Sequence, residues 1–291
     1  MLHNVSAASL STVCDIAVNP AIPAPGEFIW CSVFSPRLAD GNRSIVIRLN
    51  SWPEKKQLEA LAGFIGDTET SFVVLKGNCL EVRWFAGKRE VPLCGHCALA
   101  VNSVLLPLLK DGELLEVANL SGRLWLSRHE SKPYLVFKDV PLIEIPTEAV
   151  QTGMKLIKAY DAGRDYLLIV EDEETLKAFN PTKARLERLA KIGCIISSPS
   201  RSSTAAFRFF APRAGIHEDR ASGSVIPALM RYWAPEQCGE HIFSQESGYG
   251  IKIGARWLGE RVALTGDVMQ FARGMVASTL LEDFSESALT A

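Results

Sequence analysis

Three stretches of the chain carry residues that could do chemistry. The first is Asp67-Thr68-Glu69-Thr70-Ser71-Phe72, where a carboxylate stands at the mouth of an apolar run. Glu69 is a candidate general base if it is buried against Phe72, since desolvation raises a carboxyl pKa. The plainer alternative is a solvated loop acid. The second is Cys94-Gly95-His96-Cys97, a C-x-x-C ahead of a nearly all-apolar segment. A helix starting there would lower a thiol pKa and aim backbone N–H groups at an anion. Redox chemistry, metal ligation and simple apolar filling by the two cysteines all remain open. Cys14, Cys31, Cys79, Cys194 and Cys238 offer no second ligand pair at zinc spacing, so no metal is expected. His96 is one of five histidines and follows Gly95 directly. The third stretch is Glu218-Asp219-Arg220-Ala221-Ser222-Gly223-Ser224, again a charged segment, a glycine turn and an apolar run. Asp219 is a candidate site acid, with a helix cap or an ion pair to Arg220 as the alternative.

The elements that must hold these residues are readable from periodicity. Strands are expected at Glu27–Phe34, Ile45–Leu49, Phe72–Leu75 and Leu80–Phe85, from their β-branched and aromatic content. A helix opens after Pro53, with Leu58, Leu61 and Ala62 on one face. Cys97–Leu109 reads as a helix buried on most sides, with Pro107 near its end. In the second half, strands are expected at Gly122–Leu126, Leu135–Phe137, Tyr166–Val170, Cys194–Ser197 and Phe207–Phe210. A helix is expected over Pro181–Ala190, then a loop to Asp219, then an apolar helix over Ser224–Ala234 with Pro227 in its first turn. Closing strands follow at Ile251–Gly254, Arg261–Leu264 and Met269–Ala272. The pattern is two similar halves. In each, strands lead through a charged segment and a glycine turn into an apolar helix, whose N-terminus is a potential anion site.

Composition bounds the rest. At 291 residues, 47% hydrophobic and 22% charged, the chain is a globular protein of about two domains. Thirty-one basic against thirty-three acidic residues give a net charge of −2, which argues against a nucleic-acid partner. No apolar run reaches the length of about 18 residues needed for a membrane span. Met1–Thr12 has no basic segment of the secretory kind. Seven scattered cysteines fit reduced thiols and a cytoplasmic setting.

Thr68-Glu69-Thr70-Ser71-Phe72, Arg83-Trp84-Phe85, Glu90-Val91-Pro92-Leu93-Cys94-Gly95-His96 and Glu218-Asp219 with Gly223-Ser224 occur in this order. The set resembles the PhzF-like (phenazine biosynthesis) isomerase family of the diaminopimelate epimerase fold. Phe34 with Gly41-Asn42 and Phe210-Ala211-Pro212 fit the same series, and the similarity spans roughly 28–276. The resemblance implies an α+β fold of two lobes, each a β-barrel-like sheet around a central apolar helix. The lobes are expected at 26–130 and 131–261, with 1–25 a lead-in and a strand near 262–276 returning to the first lobe.

By the same resemblance the active site lies between the lobes, the enzyme needs no cofactor, and it works as a homodimer on a small carboxylated metabolite. Glu69 is then the acid/base, with a raised pKa. His96 and Asp219 bond polar groups of the substrate. Gly95 and Ser224 supply helix N-terminal donors, with Gly223, Cys94 and Arg220 also lining the substrate.

Three departures stand out. Arg220 replaces a proline, Cys97 an alanine, and Gln245-Glu246-Ser247-Gly248-Tyr249-Gly250 stands where the family has a glycine-rich loop with arginine. Related racemases use one thiol from each half; Cys94 matches the first position, but Ser222 stands at the second. A thiol-based epimerase using Cys94 is the alternative enzyme, and a non-catalytic binding protein that keeps the fold is the alternative outside enzymes.

Overall fold

The structure is a computed structural model, which describes residues 21–76, 79–120, 122–235, 238–248 and 250–277. Most of the expected lead-in, residues 1–20, lies outside them. The fold is mixed α+β with a large sheet, and the chain divides into two compact units. Among the described residues, one comprises those within 21–31, 43–134 and 270–277. The other comprises residues 32–42 and 135–269.

In the first unit, strand Asn42–Leu49 leads through helix Lys55–Ile65 to the parallel strand Glu69–Lys76, with Ser44 opposite Glu69. Leu58, Leu61 and Ala62 of the helix pack with Ile45, Ile47, Leu49, Phe72, Val74 and Phe85. This is the 3.6-residue stripe of the helix meeting the sheet face. Cys79–Ala86 then pairs antiparallel with Glu69–Lys76, and the short strand Arg89–Val91 returns along it. A turn follows, then helix Gly95–Leu105, then strand Leu114–Asn119, which runs parallel to Cys79–Ala86.

Helix Gly95–Leu105 is buried at ten of its eleven residues. It packs on strands Glu69–Lys76 and Gly122–His129. Its one buried polar side chain beyond the first turn is Asn102, whose Nδ2 donates to the carbonyls of Ser127 (2.9 Å) and Tyr134 (2.7 Å). The helix starts at Gly95 rather than Cys97. Its α-geometry ends at Leu105, where Leu106–Leu108 forms a 3-10 turn around Pro107.

The second unit repeats this order. Strand Asp165–Ile169 leads through short helices to the parallel strand Gly193–Ser198, with Asp165 opposite Gly193. Ala205–Ala211 pairs antiparallel with that strand, the short strand Ile216–Asp219 returns along it, and a turn enters helix Ile226–Trp233. His241–Gln245 then runs parallel to Ala205–Ala211.

Three expectations need correcting here. Where one helix is expected over Pro181–Ala190, the chain forms a helix at Glu173–Ala178, ahead of that span, and a short one at Lys183–Leu186 within it. Asp172 caps the first through Thr175 N–H and Thr182 the second through Arg185 N–H; Pro181 between them breaks the run. The loop expected before Asp219 is the strand Ile216–Asp219. The last helix is entered through a 3-10 turn at Gly223–Val225, and α-geometry begins at Ile226 with Pro227 in its first turn.

Candidate active site

Glu69 is the first residue of its strand. Its Oε2 lies 3.5 Å from Nε2 of His96, whose side chain is almost fully buried while that of Glu69 is about a quarter exposed. Burial pushes the Glu69 carboxyl up, but the hydrogen bond and charge of His96 and a backbone N–H outweigh it. The net position is below the ordinary glutamate value. The expectation of a raised pKa is therefore overturned: the sequence placed Glu69 against Phe72 but did not show His96 beside it.

His96 sits in the first turn of helix Gly95–Leu105, with Cys94 as the N-cap residue. Cys94 and Cys97 are joined by a disulfide with Cα atoms 5.2 Å apart. Neither is a simple apolar filler, and Cys94 is in a form that carries no thiolate. The His96 ring lies against both sulfurs, 3.6 Å from Cys94 Sγ through Nδ1 and 3.5 Å from Cys97 Sγ through Nε2. Ligand atoms of Cys94, His96 and Cys97 lie within 4.8 Å of one another, one short of the four that a structural zinc takes. Glu69, Cys94, Gly95 and His96 are thus brought together within the first unit.

Strands Cys79–Ala86 and Arg89–Val91, which lead into this turn, are tied by an ion pair that sequence reading missed. Arg83 grips Glu90 with two parallel N–H···O bonds of 2.6 and 2.7 Å and lies over the rings of Trp52 and Phe85. The Arg83 hydrogen bonds hold the Glu90 carboxyl below its ordinary range, against the opposing effect of burial. The signal available was opposite charge at diagonal positions on one face of a hairpin, since Glu90 stands opposite Phe85, two residues after Arg83.

In the second unit Asp219 ends its strand and sits in a dense net of neutral donors. Its Oδ1 accepts from Asn42 Nδ2 (3.1 Å), and its Oδ2 from Ser222 Oγ (2.7 Å). Its carbonyl accepts from Gln245 Nε2 (2.7 Å) and Ser247 Oγ (3.0 Å). Gln245 is fully buried and also takes the N–H of Ser222 at 2.6 Å. The segment that looked like a departure from the family thus supplies the side chains that hold this turn. Glu218 is gripped by Arg208 at 2.7 and 2.8 Å, as Glu90 is by Arg83. Ser224 Oγ accepts from Arg164 Nη2 (3.0 Å), and Arg164 also pairs with Asp165. A Cβ on Gly223 would stand 3.1 Å from the Phe34 ring, tighter than ordinary contact, so the ring would have to give way slightly. Arg220 adjoins Asp219 and is partly buried. Asp219, Arg220, Gly223 and Ser224 are neighbours within the second unit.

Residues 31–247 match the family of phenazine biosynthesis-like proteins. The chain belongs to that family. It is 32% identical over 259 residues to an uncharacterized isomerase of Pseudomonas aeruginosa, covering 86% of this chain and 98% of that one. It is 28% identical over 235 residues to the human phenazine biosynthesis-like domain-containing protein, covering 69% of this chain and 81% of that one. Among solved structures, a PhzF-family protein of Enterococcus faecalis superposes with a TM-score of 0.76 at 29% identity, over 86% of this chain and 98% of that one. A proline racemase fold from Agrobacterium radiobacter matches at a TM-score of 0.56 and 12% identity, over 86% of this chain and 92% of that one, which is a likeness of fold alone. Within the phenazine biosynthesis-like family, this chain is an isomerase. No helix among the described residues is long and apolar enough to cross a membrane.

Proposed function

We propose that this chain is a cofactor-independent isomerase that moves a proton on a small carboxylated metabolite, with Glu69 as the acid/base. The observation that carries the reading is the Glu69–His96 pair at the start of a buried helix. His96 keeps the carboxyl ionised, which is the form a base needs before the reaction. Glu69 takes a proton from a carbon conjugated to the substrate's carboxylate. The electron pair left behind delocalises toward the acceptor oxygens, and the same carboxyl returns the proton to a second carbon.

Negative charge built up in that step is stabilised by N–H groups of a helix first turn, among them that of Gly95. Asp219, Gly223 and Ser224 bind polar groups of the substrate, Cys94 lines it, and Arg220 reads a second anionic group. The reading also takes each half to be a barrel-like sheet around its apolar helix, which the burial of Gly95–Leu105 supports. On the family resemblance the enzyme works as a homodimer, and its scattered cysteines fit the cytoplasm.

The test is NMR of candidate carboxylated metabolites incubated with the enzyme in D₂O. A true substrate gains deuterium at carbon with the wild type. Glu69→Gln lowers the rate by about 10²–10⁴-fold, the usual worth of a positioned acid/base. Equal incorporation by the variant would refute the assignment. If Cys94→Ala abolished exchange while Glu69→Gln kept it, the thiol-based epimerase would replace this reading. No exchange with any candidate would favour a binding protein.

A further inference from the structure

We propose that the Cys94–Cys97 disulfide is a redox-active site that exchanges with a dithiol reductant and is entered at Cys94. This does not rest on the isomerase reading. A bridge between residues only three apart closes a very short loop. It constrains the unfolded chain less than a long-range bridge does, so stapling is a weak reason for it.

Its placement suits exchange. The two cysteines are both buried but differ in access: residue Cys94 keeps 8% exposure and Cys97 has none. That difference decides where exchange begins, because an external thiolate must reach one sulfur while the other leaves. The leaving sulfur, Cys97, lies in the first turn of an eleven-residue helix and 3.5 Å from His96 Nε2. A helix N-terminus and a neighbouring imidazole both stabilise a thiolate, and a better-stabilised leaving thiolate departs faster. The buried Cys31 and Cys194 are the contrast, with burial pushing both thiols up to about 12.

The step balances. One thiolate of the dithiol attacks Cys94 Sγ, the Cys94–Cys97 bond breaks, and Cys97 leaves as a thiolate that gains a proton. The second thiolate of the reductant attacks its own sulfur in the mixed disulfide and releases Cys94. Two electrons pass from the dithiol, which becomes a disulfide, to the protein, which becomes a dithiol. His96 then faces two thiols in place of a disulfide, and it stands beside Glu69.

The experiment uses the full chain under anaerobic buffers of reduced and oxidised dithiothreitol, quenched with N-ethylmaleimide and read by peptide mass. Cys79 and Cys238 are exposed, so the peptide holding Cys94 and Cys97 must be scored by itself. That peptide is expected to pass from no adduct to two as the folded chain is reduced, and back again on reoxidation. With glutathione disulfide, Cys97→Ser is expected to take one glutathione at Cys94. Cys94→Ser is expected to react at Cys97 at least about tenfold more slowly, since that sulfur has no exposure.

Resistance to reduction until the chain unfolds would make the bridge a structural crosslink and overturn the proposal. Two free thiols holding zinc in the purified protein would do the same in favour of a metal site. Equal rates for the two variants would overturn entry at Cys94. None of these readouts uses the isomerase substrate, so failure here and failure of the catalytic assignment are separable.

Discussion

The two units run the same sequence of elements to opposite ends. Each has a parallel strand pair, an antiparallel strand bearing an arginine two residues before a phenylalanine, a short return strand bearing the glutamate it grips, and a turn into an apolar helix. Arg83 with Glu90 and Arg208 with Glu218 are the same device, each arginine also lying over its phenylalanine, Phe85 or Phe210. The turns differ: Cys94, Gly95 and His96 in one, Ser222, Gly223 and Ser224 in the other.

Pairing register also matches Glu69 to Gly193. A Cβ on Gly193 would stand 2.6 Å from the Phe210 carbonyl and 2.8 Å from the Phe209 ring. Only the first unit has room for a carboxylate at this place. Its turn is surrounded by groups that change state, a histidine, a carboxylate and two sulfurs. The second unit's turn is fixed by amides and hydroxyls gathered round one carboxylate, Asp219. One is suited to moving protons and electrons, the other to holding a shape.

That contrast can be broken in three ways. The largest effect is expected at Gly193→Ala, where the clash is with backbone and cannot be relieved by a rotamer. A loss of about 3 kcal/mol in urea unfolding is expected, from the usual cost of overpacking. A neutral result would mean that the second unit could also have carried a carboxylate.

Next is Gln245→Ala. It strands the N–H of Ser222 and removes a donor to the Asp219 carbonyl. A loss of about 2 kcal/mol is expected from leaving a buried group unsatisfied, seen as a lower urea midpoint with unchanged slope. No loss would show that the turn holds its shape without the net.

The smallest stability effect is expected at Glu69→Gln, and it depends on pH. The folded carboxyl lies below its unfolded value, so its ionisation stabilises the fold above the unfolded value, about 4.3. That contribution is lost as pH falls through the folded value. Wild type and variant should therefore differ slightly at pH 7 and converge in acid. A difference that grows toward low pH would reverse the assignment of His96 as the group holding Glu69 ionised.

Much of the site was legible because glycine and runs of apolar residues are local signals. Gly95 and Gly223 mark both turns, and the nearly all-apolar run after Cys97 marks a helix buried on most sides. What depended on register was not legible. Arg83 and Glu90 are seven residues apart and meet only because a hairpin folds between them; Gln245 reaches Ser222, twenty-three residues back, only because its strand pairs with Ala205–Ala211. The position of the Glu69 pKa reversed for the same reason: its environment includes a histidine twenty-seven residues away in sequence. The helix expected over 181–190 shrank to Lys183–Leu186, capped by Thr182, and the helix capped by Asp172 ahead of Pro181 went unread.

A helix that is apolar all round has no stripe to say which way it should face. In Gly95–Leu105 one amide sets that angle. With Nδ2 of Asn102 engaged by the carbonyls of both Ser127 and Tyr134, the helix has a single rotational phase, and a one-residue turn about its axis would swing every side chain by about 100°. His96 lies on the same rigid cylinder. The direction in which its imidazole points is therefore set six residues away, by a side chain that touches neither Glu69 nor the sulfurs.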